Sequence, residues 1–499
     1  MSYQQLEQTF YRLAQLDHAS AMLGWDQQVM MPAKGNEPRG RALAELSVMA
    51  TEILQHNAME DLFGAAEQSA TTLETWQQAN LREMCNAWKS ALAVPKDLVE
   101  AEVMAANDCE YAWRSYRNNN NWQDFQPLLQ TGFDLSREKA QALNSALAPE
   151  RGYLNDYDAL LDLFDPGTNL AKVDKLFAQL KSVLPGLQQS IMEKQRRQPA
   201  PLQPKEPVPR TTQLKLSRDL MTVLGFDFTA GRLDEALHPF SGGVSGDSRI
   251  TSRIDENNVV ENIMATIHET GHSRYETGLN RDWRFKPIGR AMGMSIHESQ
   301  SLFFEMQMAR SQAFIQAVNP LVIKHLGLDP AFTSANLHSI YTQVQPGLIR
   351  VNADEVTYPL HVILRFEIER DIILGKTSVA DIPECWDEAM SKYLNLDTRG
   401  NHRDGAMQDI HWPSGAIGYF PSYTLGAMNA AQLHQALVQV IPQAADHISR
   451  LELAPVFEWL SVNIWEKGSL LSSDDLMLEA TGETLQARYF IEHLRSRYL

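Results

Sequence analysis

A mainly α-helical fold with one small β element is the architecture this sequence predicts, and three observations predict it. Apolar residues recur at helical spacing along most of the chain. Strand-like alternation is confined to one short stretch. That stretch runs into a helix-patterned segment containing His268-Glu269-Thr270-Gly271-His272.

The helical pattern starts at residues 3–23, where Leu6, Phe10, Leu13, Leu16 and Met22 mark one face. Residues 38–56 and 72–93 repeat it, the second rich in Ala, Leu, Glu and Gln. Asn118–Asn121 reads as a polar turn, and 123–147 and 171–196 as further amphipathic helices. No internal repeat of fixed period is present. Five prolines between Pro199 and Pro209 exclude helix interior and mark a linker or a stiff loop. A soft boundary there divides an N-terminal helical part, 1–205, from a part carrying the histidine motif, 206–499, the two expected to form one compact unit. After the glycine-rich Ser241–Gly246, residues 247–254 alternate and contain β-branched side chains, which predicts one strand of a small hairpin or sheet. In many zinc peptidases an edge strand placed just before a helix of this pattern pairs with an extended peptide, an analogy that makes this strand an expected edge.

With 499 residues the chain has ample length for a large core. Its net charge of −18 argues against non-specific binding to nucleic acid or anionic membrane. Three widely separated cysteines, Cys85, Cys109 and Cys385, argue against a disulfide framework or a cysteine zinc site and fit a reducing cytoplasm. The sequence Met1–Glu7 lacks the pattern of a signal peptide, and no apolar run reaches membrane-spanning length.

His-Glu-x-x-His on a helix puts two imidazoles on one face, able to share a zinc ion, with the glutamate placed to act on metal-bound water. The helix is expected from about Val259 to Glu276, ending near Gly278, with Val260, Ile263, Met264 and Ile267 on its apolar side and His268 and His272 continuing that side. Gly271 would let another element come close between the ligands. A catalytic zinc takes three protein ligands and leaves one position open. Glu298, 26 positions after His272, is the favoured third ligand, on a second helix capped by Ser295 and buried through Leu302, Phe303 and Met306. His297 is its rival; it points about 100° away, so both are not expected to bind one ion.

Six ordered motifs extend the pattern: His238-Pro239-Phe240; Asp247-x-Arg249-x-Thr251; His268-Glu269-x-x-His272; His297-Glu298-Ser299-Gln300; Ile349-Arg350-x-x-Ala353-Asp354; and Gly405-x-x-Gln408-Asp409-x-His411-Trp412. On these the chain resembles the carboxypeptidase Taq family of zinc metallocarboxypeptidases. Gly24-Trp25-Asp26 with Met31-Pro32 is also similar to that family and suggests packing more than chemistry. The resemblance implies a helical, gluzincin-like zinc-peptidase fold with a deep groove, one side of it formed by the N-terminal part. It implies removal of single residues from peptide C-termini in a cytoplasmic homodimer, with one Zn2+ per chain that Co2+ can replace. It also implies Glu298 as the third ligand.

Within that frame Glu269 is the expected general base. His411 and Tyr423, with Tyr419 as the alternative tyrosine, are expected to stabilise the developing oxyanion. Arg350 is expected to take the substrate's terminal carboxylate. His238, Arg249 and Gln408 complete the expected substrate contacts, although Arg249 could instead anchor its strand through Asp247. Gly426-Ala427-Met428 resembles an aminopeptidase motif, but it follows the zinc motif and lacks the needed glutamate. Two other functions compete: a zinc oligopeptidase cutting internal bonds of short peptides, and a non-enzymatic helical scaffold with a structural metal.

Overall fold

The computed structural model describes residues 2–236 and 239–499. His238, an expected substrate contact, lies outside the described residues. The expected helices form, two of them longer than their apolar repeats. The first runs Ser2–Val29, and the later ones Asn36–Leu54, Thr75–Ala93, Trp122–Arg151 and Leu170–Gln195. Asn118–Asn121 is the turn between Lys96–Asn118 and Trp122–Arg151. Its last residue caps the second of these helices, with the Asn121 side chain accepting from the Asp124 amide.

Two packed cores organise these helices. Tyr3, Leu6, Phe10 and Leu13 join Met59, Phe63, Leu81 and Met84 in a small N-terminal core. The principal core runs from Cys109 to Tyr498 and draws on residues from both sides of position 205. The proline run contains no helix or strand and walls one side of a cleft of about 1240 Å³, facing residues between Pro330 and Gln345. None of the expected site residues lines that cleft.

The β element is a three-stranded mixed sheet: β1 (Gly231–Glu235), β2 (Phe240–Val244) and β3 (Asp247–Ser252), in the order β1-β3-β2. β1 is parallel and β2 antiparallel to β3. Val244 faces Asp247, so Ser245 and Gly246 form a two-residue hairpin loop, and Gly246 takes a φ of 95° that suits glycine. β3 is therefore central, and the expected edge strand is not the one its alternation marked. Its hydrogen bonds are taken on both sides, which leaves β1 and β2 as the edges.

The helix Pro421–Val440 is buried along most of its length and packs against the helix that carries Glu298. Its His434 packs against the Phe303 ring, within reach of the charges of His493 and Arg497. Burial pulls the His434 pKa down to about 4. Folding therefore favours the neutral ring. The unfolded chain takes up a proton below about 6.5, so stability falls as pH drops from there toward 4. Replacing His434 by Leu should flatten this part of the acid limb by up to about 3 kcal/mol; urea unfolding between pH 7 and 4 measures it.

Candidate metal centre

The motif helix spans Val259–Gly278, as its pattern predicted, and Asn258 caps it. Val260, Ile263, Met264 and Ile267 are buried on its inner side. One turn apart on that helix, the His268 and His272 rings lie 5.0 Å centroid to centroid and remain partly exposed. The glutamate helix, Met294–Leu302, crosses behind and presents Glu298, which is 3% exposed. Its cap is Gly293, not Ser295. Ser295 sits inside the first turn and donates to Asp165 Oδ1 at 2.8 Å, because that carboxylate lies beneath the helix start.

Glu298 Oε2 is 3.3 Å from His272 Nε2, and its Oε1 is 3.8 Å from His268 Nε2. A tetrahedral ion with bonds of about 2.0–2.1 Å spaces its ligands by roughly 3.3 Å, so the donor set fits zinc. Glu298 Oε1 is buried with no hydrogen-bond partner among the described residues, as a carboxylate committed to a cation would be. Among the described residues these three form the one group with metal-ligand spacing, their donor atoms all within 4.8 Å. His297 is elsewhere. Its Nε2 bonds Glu276 Oε1 at 2.9 Å, and its ring stacks on His272 at 4.6 Å.

Two glycines allow this convergence. A Cβ on Gly271 would lie 2.7 Å from Ser301 Cα and 2.8 Å from Gln300 O, so the motif and glutamate helices touch backbone to backbone. A Cβ on Gly426 would lie 2.7 Å from both Cβ and Cγ of Glu298. Gly426, part of the misleading aminopeptidase-like stretch, thus leaves room for the ligand side chain.

Glu269 is nearly buried, and burial raises its carboxyl to about 7 against the pull of His268. Burial lowers His272 to about 4, which keeps its ring free of an extra proton. His268 Nδ1 bonds Glu305 Oε2 at 2.8 Å, and Glu305 Oε1 accepts from Arg310 at 2.6 Å.

A second cluster adjoins this one. His411 Nε2 and the Tyr423 hydroxyl are 2.8 Å apart. The Arg350 guanidinium lies over the Tyr423 ring at 4.7 Å, and Tyr419 packs edge-on to the same ring. Arg350 donates to Asp409 at 2.9 Å and to Tyr358 at 3.1 Å; Arg365, fully buried, donates to the other oxygen of Asp409 at 2.6 Å. Although burial opposes its charge, the two guanidiniums hold the Asp409 carboxyl far below the usual carboxylate range. Two buried cations share one anion here. Gln408 spends its amide on backbone, accepting from Arg350 N and donating to Leu348 O and Asp404 O. Arg249 pairs with Asp247 at 2.8 Å and covers the Trp25 ring at 4.5 Å, the strand-anchoring alternative, and this gives Trp25 a packing role. Glu369 receives Trp412 Nε1, Tyr157 OH and Gly418 N, which ties down the loop bearing His411.

Sequence reasoning passed over Glu305, Arg365 and Tyr358. Glu305 had one available signal, its place seven residues beyond Glu298 and so on the same α-helical face. Arg365 lies on the helix Tyr358–Ile373, buried all round, where no periodicity sets it apart.

Buried helices that converge two imidazoles and a carboxylate, with a glutamic acid between the imidazoles, define a helical metallopeptidase. The chain belongs to the carboxypeptidase Taq (M32) metallopeptidase family, whose profile it matches over residues 5–498. It is 34% identical to thermostable carboxypeptidase 1 of Thermus thermophilus, over 100% of this chain and 98% of that one. To carboxypeptidase 1 of Bacillus subtilis it is 32% identical, over 98% and 96%. The solved structure of Trypanosoma cruzi metallocarboxypeptidase 1 superposes with a TM-score of 0.94 at 38% identity, covering 100% of this chain and 99% of that one. Among the described residues no helix is long and apolar enough to cross a membrane.

The packing makes a direct prediction. Gly426→Ala should push Glu298 off its position and weaken divalent-metal binding by about tenfold or more while the helical circular dichroism is retained; competition with a chromophoric chelator measures it.

Proposed function

We propose that the protein is a zinc carboxypeptidase releasing single residues from peptide C-termini, with His268, His272 and Glu298 holding the ion. The donor set, two imidazoles and one carboxylate with an open side, is one that zinc takes in hydrolases, and cobalt suits the same donors. When bound, the ion supplies Lewis acidity to the scissile carbonyl and lowers the pKa of water. Glu269 is the general base. Its buried carboxylate takes the proton of the attacking water and delivers it to the leaving amine. The Tyr423 hydroxyl, held by His411 Nε2, donates to the carbonyl oxygen as negative charge develops there. Tyr419 packs beside it and shapes the same wall.

The observation that carries the exopeptidase reading is the pairing of two buried guanidiniums with the single carboxylate of Asp409. One positive charge is left over in a dry setting, and a substrate's terminal carboxylate supplies the missing anion. Arg350, against Tyr423, is the arm that meets it. Gln408 fixes the backbone of Arg350, and Arg249 steadies the sheet beside the motif helix. The expected homodimer and the cytoplasmic setting extend the family resemblance to this chain; its three unpaired thiols accord with a reducing compartment.

Mass spectrometry of early products tests the reading. A free peptide should lose single C-terminal residues, and its C-terminal amide should resist. Early internal fragments would favour an oligopeptidase instead. Glu269→Gln should lower kcat at least 10³-fold with zinc still stoichiometric, within the range of general acid–base effects; retained activity would sink the assignment. Arg350→Gln should cut kcat/KM for free peptides about 100-fold, equivalent to ~2.7 kcal/mol, and leave amidated peptides unchanged.

A further inference from the structure

We infer that Glu305 is a positioning residue for the metal centre: held by Arg310 on a π-helical turn, it fixes His268 with Nδ1 protonated and Nε2 free to bind the ion. The inference rests on the three-ligand site proposed above.

Residues Phe303–Ala309 follow the glutamate helix as a π-helical segment, and the Arg310 amide closes it onto Glu305 O at 3.0 Å, five residues back. Such turns are rare and concentrate at functional sites. In continuous α register Glu305 would stand two turns above Glu298 on the same face, roughly 10 Å along the axis. The wider turn swings it toward the outer nitrogen of His268, and its Oε2 lies 2.8 Å from Nδ1. Its other oxygen accepts from Arg310 Nη2 at 2.6 Å, and Arg310 Nη1 reaches Tyr341 O at 3.3 Å. Both partners of Glu305 are donors, so the carboxylate has one useful orientation.

The turn is braced from outside. Arg497, on the helix Ala487–Tyr498, donates to Met306 O at 2.5 Å and pairs with the buried Glu355 at 2.8 Å. His272 has no equivalent. Its Nδ1 is buried without a partner among the described residues, and its ring is held by stacking on His297. A carboxylate therefore backs only one of the two imidazoles. A carboxylate behind a ligating imidazole fixes the tautomer and makes the ring a stronger donor; removing such a partner typically costs 10–100-fold in metal affinity.

Glu305→Gln is the informative change. Its amide can offer an acceptor to only one of two donors, so either Arg310 or His268 meets an N–H. The test strips wild type and variant with chelator, then titrates each with zinc against a chromophoric competitor and records the visible spectrum of each cobalt form. The expected result is zinc bound 10–100-fold more weakly, shifted cobalt bands and partial recovery in Glu305→Asp. Zinc affinity within twofold of wild type in the folded variant overturns the inference and leaves the three-ligand site standing. Wild type that binds no zinc removes the site and the inference together. Should both variants fail to fold, ¹⁵N-histidine spectra of the wild-type zinc form decide: a downfield Nδ1 proton assigned through His268→Ala supports the inference, and its absence overturns it.

Discussion

Three helices lie closer together here than ordinary side chains permit, and the candidate metal centre depends on it. Gly271 brings the motif helix onto the backbone of Ser301, and Gly426 lets the helix Pro421–Val440 rest on the stem of Glu298. The remaining small residues suit the same contact. Ser299 and Ser301 are fully buried, and each bonds a carbonyl of its own helix, at 2.6 and 2.7 Å, so the close interface contains no unsatisfied hydroxyl at these positions. Close-packed interiors transmit such constraints with little give. A methyl group at either glycine would therefore be felt at the ligands and not absorbed by the surroundings.

That compactness sets the electrostatics. Glu269, Glu298 and Glu305 are grouped around His268 and His272, and Arg310 pairs with Glu305. Beside them Arg350 and Arg365 share Asp409. The first cluster has carboxylate to spare and the second has guanidinium to spare. In a low-dielectric interior neither excess is comfortable alone. On the proposed reading, a dication at the imidazoles and a peptide carboxylate at the arginines would relieve both.

Legibility in the sequence followed periodicity. The motif helix could be read to within its ends because its apolar residues recur at helical spacing between the capping Asn258 and Gly278. The glutamate helix was legible in existence but not in its start, because a buried Asp165 on a distant segment claims the hydroxyl of Ser295. The sheet was legible only through β3, the strand with β-branched alternation; β1 carries charged residues and β2 two glycines, so neither resembles a strand. Arg350 and His411 were reached through family motifs, since nothing in their local spacing marks them. Glu305 offered only its seven-residue spacing from Glu298, which the π-turn makes an unreliable guide to position, and Arg365 offered nothing, because a helix buried on every side has no periodic face to read.

A chain of net charge −18 presents a long-range field that disfavours the carboxylate of an approaching peptide. Screening shortens that field to about 8 Å at physiological ionic strength, so it governs approach and not capture. On the proposed reading, capture would depend on the few ångströms around Arg350, where burial spares a charge from both water and salt. Arg350, the cation proposed to meet the substrate carboxylate, is internal and held in register by Asp409, Tyr358 and the backbone contact of Gln408. Internal placement also makes the charge selective. A carboxylate at the end of a chain can enter so confined a site, whereas one in the middle of a long segment would have to bury uncompensated peptide groups to reach it.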